Sequence, residues 1–169
     1  MPSLLSQQAL DTLFLQARTH NEWLDKPVDD ALLQRVWELA RMGPTSANCS
    51  PMRIVFVKTP EAKARLQPAL MESNRAKTLA APVTAIFGND SRFYDLLPKL
   101  FPHTDARAWF AGPGKEEVAA TTAFRNGTLQ AAYFMLAARA LGLDCGPMSG
   151  FDNALVDREF FPGGRIKSN

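Results

Sequence analysis

Apolar residues recur at helical spacing at several places along this chain. Leu10, Leu13, Phe14 and Ala17 predict a first helix over residues 6–18, ending in the polar cluster Arg18-Thr19-His20-Asn21. A second helix is predicted over 30–42, with Asp29 as its cap, Leu32, Leu33, Val36, Trp37 and Ala40 as its buried stripe, and Gly43-Pro44 as its stop. A loop without periodicity (44–51) leads to the β-branched run 53–58, a strand. Thr59 caps the next helix, with Pro60 at its first position and Leu66, Ala69 and Leu70 facing inward. A short helical piece (74–79) precedes a second strand, 82–87. Residues 89–114 alternate aromatics with prolines, and two readings stand side by side: a covering lid, or a surface segment with its aromatics packed on the core. The longest helix is predicted over 115–141, with Phe124, Leu129, Ala132, Tyr133, Leu136, Ala137 and Ala140 keeping the period and Gly142 as the stop. Its many Ala and Gly residues allow close approach by another element, which suits a central helix buried on most sides or a dimer interface. A short helix over 153–160 follows.

This order predicts an α+β domain spanning 1–169, with no repeat and no linker. Two clear strands make a poor sheet, so either 143–148 is a third strand or another chain completes it. With 46% hydrophobic residues the chain suits one globular core. Charged residues are 21% and the net charge is +2, a balance that gives no reason to expect nucleic acid or an anionic membrane. No run approaches the length of a membrane span, and the start Met1–Gln8 lacks the features of a signal peptide, so a cytoplasmic location is expected. Cys49 and Cys145 read as free, buried or half-buried thiols. His20 and His103 are in no metal-ligand spacing, so no metal is expected.

Three clusters of small and polar residues lie between the patterned elements. Arg18-Thr19-His20-Asn21 offers donors for a phosphate, although an ordinary solvated helix end has the same composition. Residues 44–51 suit backbone approach to a flat polar ligand, or simply a turn. Gly146-Pro147-Met148-Ser149-Gly150 leaves backbone N–H groups free to meet an anion or a ring carbonyl. It is not a hydrolase elbow, and neither a Gly-x-Gly-x-x-Gly nor a Walker pattern occurs. The carboxylate pairs Asp29-Asp30 and Glu116-Glu117 sit at predicted helix starts, where they complement the dipole. No catalytic side chain stands out, as expected where a cofactor carries the chemistry.

Taken in order, residues 17–21, 43–51 and 142–152 resemble the nitroreductase family of flavoproteins, over nearly the whole chain from Leu10 to Asn169. The resemblance implies a central, mostly antiparallel sheet flanked by helices in an intertwined homodimer, with FMN at the interface and NADH or NADPH as electron donor. It implies that Arg18 holds the FMN phosphate, with His20 in place of a family serine, and that Thr45, Ser46 and Asn48 reach the flavin partly across the interface. Asn74 and Lys77 match an Asn-x-x-Lys pair on the polar edge of the ring, where a cation would stabilise the reduced form. Pro147, Ser149 and Gly150 match the turn facing N5 and O4. The implied activity is a hydride relay through flavin N5 to a nitro compound, a quinone or a 3-oxo acid semialdehyde. Within the family, the branch with malonic semialdehyde (3-hydroxypropionate) reductases is the nearest likeness. Trp109 and Phe110 are candidates for the substrate side. Two departures stand out: Glu22 replaces a common basic residue, and relatives run on past the position of Asn169 with a strand and a further basic residue. Flavin binding or handling without reductase turnover is the alternative activity.

Overall fold

The computed structural model describes residues 3–169. Met1 and Pro2, which open the N-terminal stretch read above, lie outside the described residues. Strands β1 (Met52–Val57), β2 (Thr84–Asp90) and β3 (Ile166–Ser168) form an antiparallel sheet in that order. The helices are α1 (Gln7–Leu10, prolonged by a π turn over Asp11–Leu15), α2 (Asp30–Ala40), α3 (Pro60–Leu66), α4 (Glu72–Ala80), α5 (Leu97–Leu100), α6 (Glu116–Ala140) and α7 (Asn153–Phe160).

The period-two alternation of β1 and β2 splits the core into two layers. Ile54 pairs with Phe87, and Phe56 with Ala85. These four side chains pack against Val36 and Ala40 of α2 and Phe134 and Ala137 of α6. Val55, Val57 and Ile86 point the other way, onto Leu66, Leu70 and Val156. A third cluster lies apart from the sheet: Cys49, Phe93, Leu97, Ala106, Phe110, Ala119 and Ala123. It decides between the two readings of residues 89–114. Phe93 and Phe110 meet edge to face at 5.0 Å between centroids, so these aromatics are core rather than lid. This cluster also underpins the loop 44–51 through Ala47 and Cys49.

Several local expectations hold. Thr59 Oγ accepts the N–H of Ala62, with Pro60 at the first position. Helix α7 has the expected bounds, capped by Asp152. Asp29 is extended at the cap position of α2, but its side chain makes no capping bond. The second strand begins and ends later than predicted, because its final residues 88–90 carry no apolar alternation to reveal them. The third strand is β3, which pairs Ser168 with Gly88. Residues 143–148 instead form a single bridge, Cys145 to Thr19.

The long helix divides its apolar period between an exposed and a buried face. Phe124, Leu129 and Tyr133 are exposed, while Asn126, Gly127, Gln130, Phe134, Ala137 and Ala138 face inward. The helix is apolar nearly all round, so the apolar period alone could not tell which face the protomer buries. The inward face is narrow for a reason. A Cβ on Gly127 would lie 1.6 Å from Asn89 Oδ1, so only glycine admits β2 this closely. Helix α1 likewise leaves Leu10, Phe14 and Leu15 exposed.

Candidate functional site

Two of the polar clusters come together, along with α4. The N–H of His20 donates to Cys145 O at 3.1 Å, laying residues 19–20 beside 145–146. Gly146 is needed there: a Cβ would meet His20 O at 2.3 Å. From α4, buried Asn74 donates through Nδ2 to Gly150 O at 3.0 Å, and the N–H of Met71 donates to the same oxygen, also at 3.0 Å. A Cβ on Gly150 would stand 2.3 Å from Asn74 Nδ2. One turn after Asn74, Lys77 Nζ donates to Asn21 Oδ1 at 3.1 Å, and its carbonyl accepts Trp23 Nε1–H at 2.8 Å. Residues 18–21, 74–77 and 146–150 therefore form one cradle.

The groups left unengaged in this cradle define what it can hold. Among the described residues, the N–H groups of Gly146, Met148, Ser149 and Gly150 donate to no protein acceptor. Arg18 is exposed and gives Nη1 to the carbonyls of Leu15 (3.0 Å) and Ala17 (2.8 Å), leaving the rest of its fork free. His20 Nε2 lies 3.5 Å from Asp144 Oδ1. A guanidinium and an imidazole at one end and backbone donors at the other suit a ligand with an anionic tail and a polar planar head. FMN fits that donor set.

The other polar cluster is built differently. Residues Ser46–Asn48 form a tight turn, and Ala47, Asn48 and Ser50 hold φ of 48°, 51° and 39°. A non-glycine residue in the left-handed region costs about 1–2 kcal/mol, so this loop is strained and must be held. Thr45 Oγ1 accepts Ser50 N–H at 3.2 Å, and Asn48 Nδ2 donates to Leu100 O at 3.1 Å. Ser46 N–H donates to Asn126 Oδ1 at 2.8 Å, and Met52 N–H to Gln130 Oε1 at 2.9 Å. None of these bonds reaches the cradle, so Thr45, Ser46 and Asn48 form a separate group within the chain.

Behind the loop lies an ion cluster. Asp90 is 2% exposed and accepts from Arg53 Nη2 at 2.7 Å, Arg165 Nε at 2.8 Å, Arg165 Nη2 at 2.9 Å and Arg92 N–H at 2.9 Å. Burial pushes the Asp90 carboxyl up, but the Arg165 hydrogen bonds, the Arg92 N–H and the two positive charges outweigh it, so the pKa is lowered. Arg53 Nη1 in turn donates to Ser50 O at 3.1 Å and steadies the loop. Both cysteines are free, as expected. Burial pushes the Cys49 thiol up to about 11, and it also raises Cys145. Neither is a ready nucleophile near neutral pH.

Of the residues singled out in the sequence, Arg18, His20, Asn74, Lys77, Pro147, Ser149 and Gly150 lie in or beside the cradle, and Thr45, Ser46 and Asn48 on the loop. Phe110 is core, while Trp109 is half exposed. Asn126, Gln130 and Asp90 were missed. Two amides four residues apart inside an apolar helix are a readable signal, because buried polar groups are there to bond something. The pairing of Asp90 with Arg53 and Arg165 has no local signature. A cleft of about 620 Å³ is lined by Lys77 and Pro147 but mainly by apolar residues such as Phe56, Ile86, Phe134 and Met148, and not by Arg18, Asn74 or Gly150. It is not where the cradle's polar groups converge.

A helix-flanked antiparallel sheet with this cradle defines a class of fold found in flavin-dependent reductases, and comparison with known proteins gives the family. The nitroreductase family profile matches residues 15–161, and the chain belongs to that family. A Burkholderia lata protein described as an NADH dehydrogenase/NAD(P)H nitroreductase is 67% identical over 165 residues, 98% of this chain and 84% of the relative. The solved nitroreductase ydfN of Bacillus subtilis superposes with a TM-score of 0.83 at 22% identity, covering 97% of this chain and 89% of that one. A nitroreductase of Exiguobacterium sibiricum, solved in complex with FMN, superposes with a TM-score of 0.81 at 16% identity, covering 99% and 87%. The nitroreductase-like α+β fold expected from the sequence is the fold observed. Among the described residues no helix is long and apolar enough to cross a membrane, and no cluster of His, Cys, Asp or Glu is arranged to hold a metal.

Proposed function

We propose that the protein is an FMN-dependent NAD(P)H oxidoreductase that acts as a homodimer on small organic acceptors. The observation that carries this reading is the cradle itself: Arg18 and His20 at one end, Asn74 and Lys77 beside it, and unengaged backbone N–H groups of Ser149 and Gly150 at the other. Family membership and the FMN bound by the Exiguobacterium sibiricum relative support it. Bound FMN supplies hydride transfer between NAD(P)H and the acceptor. The chain's own residues bind and orient. Arg18 and His20 hold the phosphate; Lys77 keeps a positive charge at the ring's polar edge, where reduction builds negative charge. Asn74 fixes the Gly150 carbonyl, and Pro147 restricts the turn so that the Ser149 and Gly150 N–H groups stay aimed at the ring.

Thr45, Ser46 and Asn48 serve the partner's cradle rather than their own. Two observations support the dimer: the loop shares no bond with its own cradle, and α1 and α6 expose Phe14, Leu15, Phe124 and Leu129. That much exposed apolar surface on two helices marks an interaction face. Nitro compounds, quinones and 3-oxo acid semialdehydes such as malonic semialdehyde are the acceptor classes, with Trp109 on the substrate side.

The test is the visible spectrum of the protein incubated with FMN and desalted, before and after anaerobic NADH or NADPH. A retained flavin band that bleaches, and recovers on adding one of these acceptors, is the expected result. A protein that stays colourless would sink the proposal; a band that never bleaches would leave flavin binding without reductase turnover.

A further inference from the structure

We propose that Asn126 and Gln130, neither in the cradle nor on the loop, are positioning residues for cofactor binding. This deepens the reading above and rests on it. The two amides sit four residues apart on the inward face of α6, 6% and 1% exposed. Between them they clamp the strained loop at both ends, Asn126 through Ser46 N–H and Gln130 through Met52 N–H. The loop has no regular ladder of its own to keep Ala47, Asn48 and Ser50 in the left-handed region. Its own short bonds, Asn48 N–H to Thr45 O at 3.0 Å, Cys49 N–H to Ser46 O at 3.0 Å and Ser50 N–H to Thr45 Oγ1, shape the turn, and external acceptors at fixed points on a rigid helix anchor it.

Two further details support the assignment. Asn126 Nδ2 donates to Thr122 O at 2.8 Å, which turns the amide so that its oxygen, the acceptor, faces Ser46. Gln130 Nε2 is buried without a partner, an unfavourable arrangement that persists because its oxygen is committed to Met52. The same helix also exposes Phe124 and Leu129, the surface assigned above to the partner. One rigid element therefore sets both where the partner docks and where the loop that serves the partner's cradle points. FMN affinity in the dimer is governed by side chains that never touch the flavin.

The test uses the full chain as a dimer, with FMN affinity read by flavin fluorescence quenching and Ser46 amide exchange read on the protein without FMN. Asn126→Leu removes the acceptor, and Asn126→Asp keeps an oxygen for Ser46. Asn126→Leu is expected to weaken FMN binding about tenfold, the worth of one buried hydrogen bond, and to expose the Ser46 amide to exchange. Asn126→Asp keeps an acceptor for Ser46 but loses the bond to Thr122, so its FMN affinity should fall between those of the parent and Asn126→Leu. Gln130→Met is a second probe that conserves volume and removes the unpartnered donor, so it is expected to fold. It should weaken FMN binding severalfold by releasing Met52. Parent and variants binding FMN equally well, with Ser46 exchange unchanged, would overturn the inference and leave the site intact. A parent that binds no FMN would overturn both.

Discussion

The cradle and the loop both gather small polar residues, yet they are held by different means. In the cradle, backbone meets backbone: His20 on Cys145 and Met71 on Gly150, with Asn74 reinforcing the second. Its glycines are there because two segments approach too closely for a Cβ. In the loop, three non-glycine residues sit in the left-handed region, held by Thr45 within the loop and by side chains of α6. One region is stiff by construction, and the other is stiff only while its anchors last. Substitutions in the cradle should therefore act through sterics and ligand contacts, and substitutions around the loop through release of strain.

The largest effect is expected on the loop side, at its ion cluster. Asp90→Ala leaves Arg53 and Arg165 without their buried partner and should lower unfolding free energy by about 3 kcal/mol, toward the low end for a broken buried pair because both arginines are partly exposed. The same group sets an acid limb. Its carboxyl is held below the ordinary carboxylate range, so its stabilisation is complete above about pH 4 and is lost as pH falls through the lowered folded value. Asp90→Asn should remove that limb, and urea denaturation across an acidic pH series would show it.

Gly150→Val tests the cradle's close approach. Its side chain would drive Asn74 and Met71 away, at about 2 kcal/mol of stability, and FMN should no longer be retained on desalting. If the variant kept both stability and flavin, the cradle would be looser than described. Arg18→Ala separates binding from folding. The side chain is exposed and bonds only neighbouring carbonyls, so the melting temperature should hold while FMN dissociation rises tenfold or more, on the order of a charge-assisted hydrogen bond. The smallest effect belongs to the strained loop. Ala47→Gly relieves a left-handed alanine at φ 48° and should stabilise the protein by about 0.5–1 kcal/mol. A loss of stability in chemical denaturation would mean that the contact of Ala47 with the Phe93 cluster outweighs the strain.

How much of this was legible in the chain depends on the range of the interaction. Thr59-Pro60 and helix α7 were readable because caps and helical spacing are local. The cradle residues were readable as motifs, but their meeting was not, since Asn74 and Gly150 lie 76 positions apart. The inward face of α6 was not legible because alanines and large apolar residues alternate around the helix, and the face that packs inward contains two amides. Strand β3 escaped because Ile166–Ser168 is too short and too polar to carry a period.

The separation of loop and cradle on one chain has a consequence for mixtures of variants. In the proposed dimer each copy is both donor and recipient, giving its loop to one site and its cradle to the other. Pair a copy broken only in the cradle with a copy broken only in the loop, and the two defects fall on the same site. The other site then receives a sound loop and a sound cradle. Two inactive gene products can in this way complement one another, and the division of labour within a single sequence becomes visible as genetics.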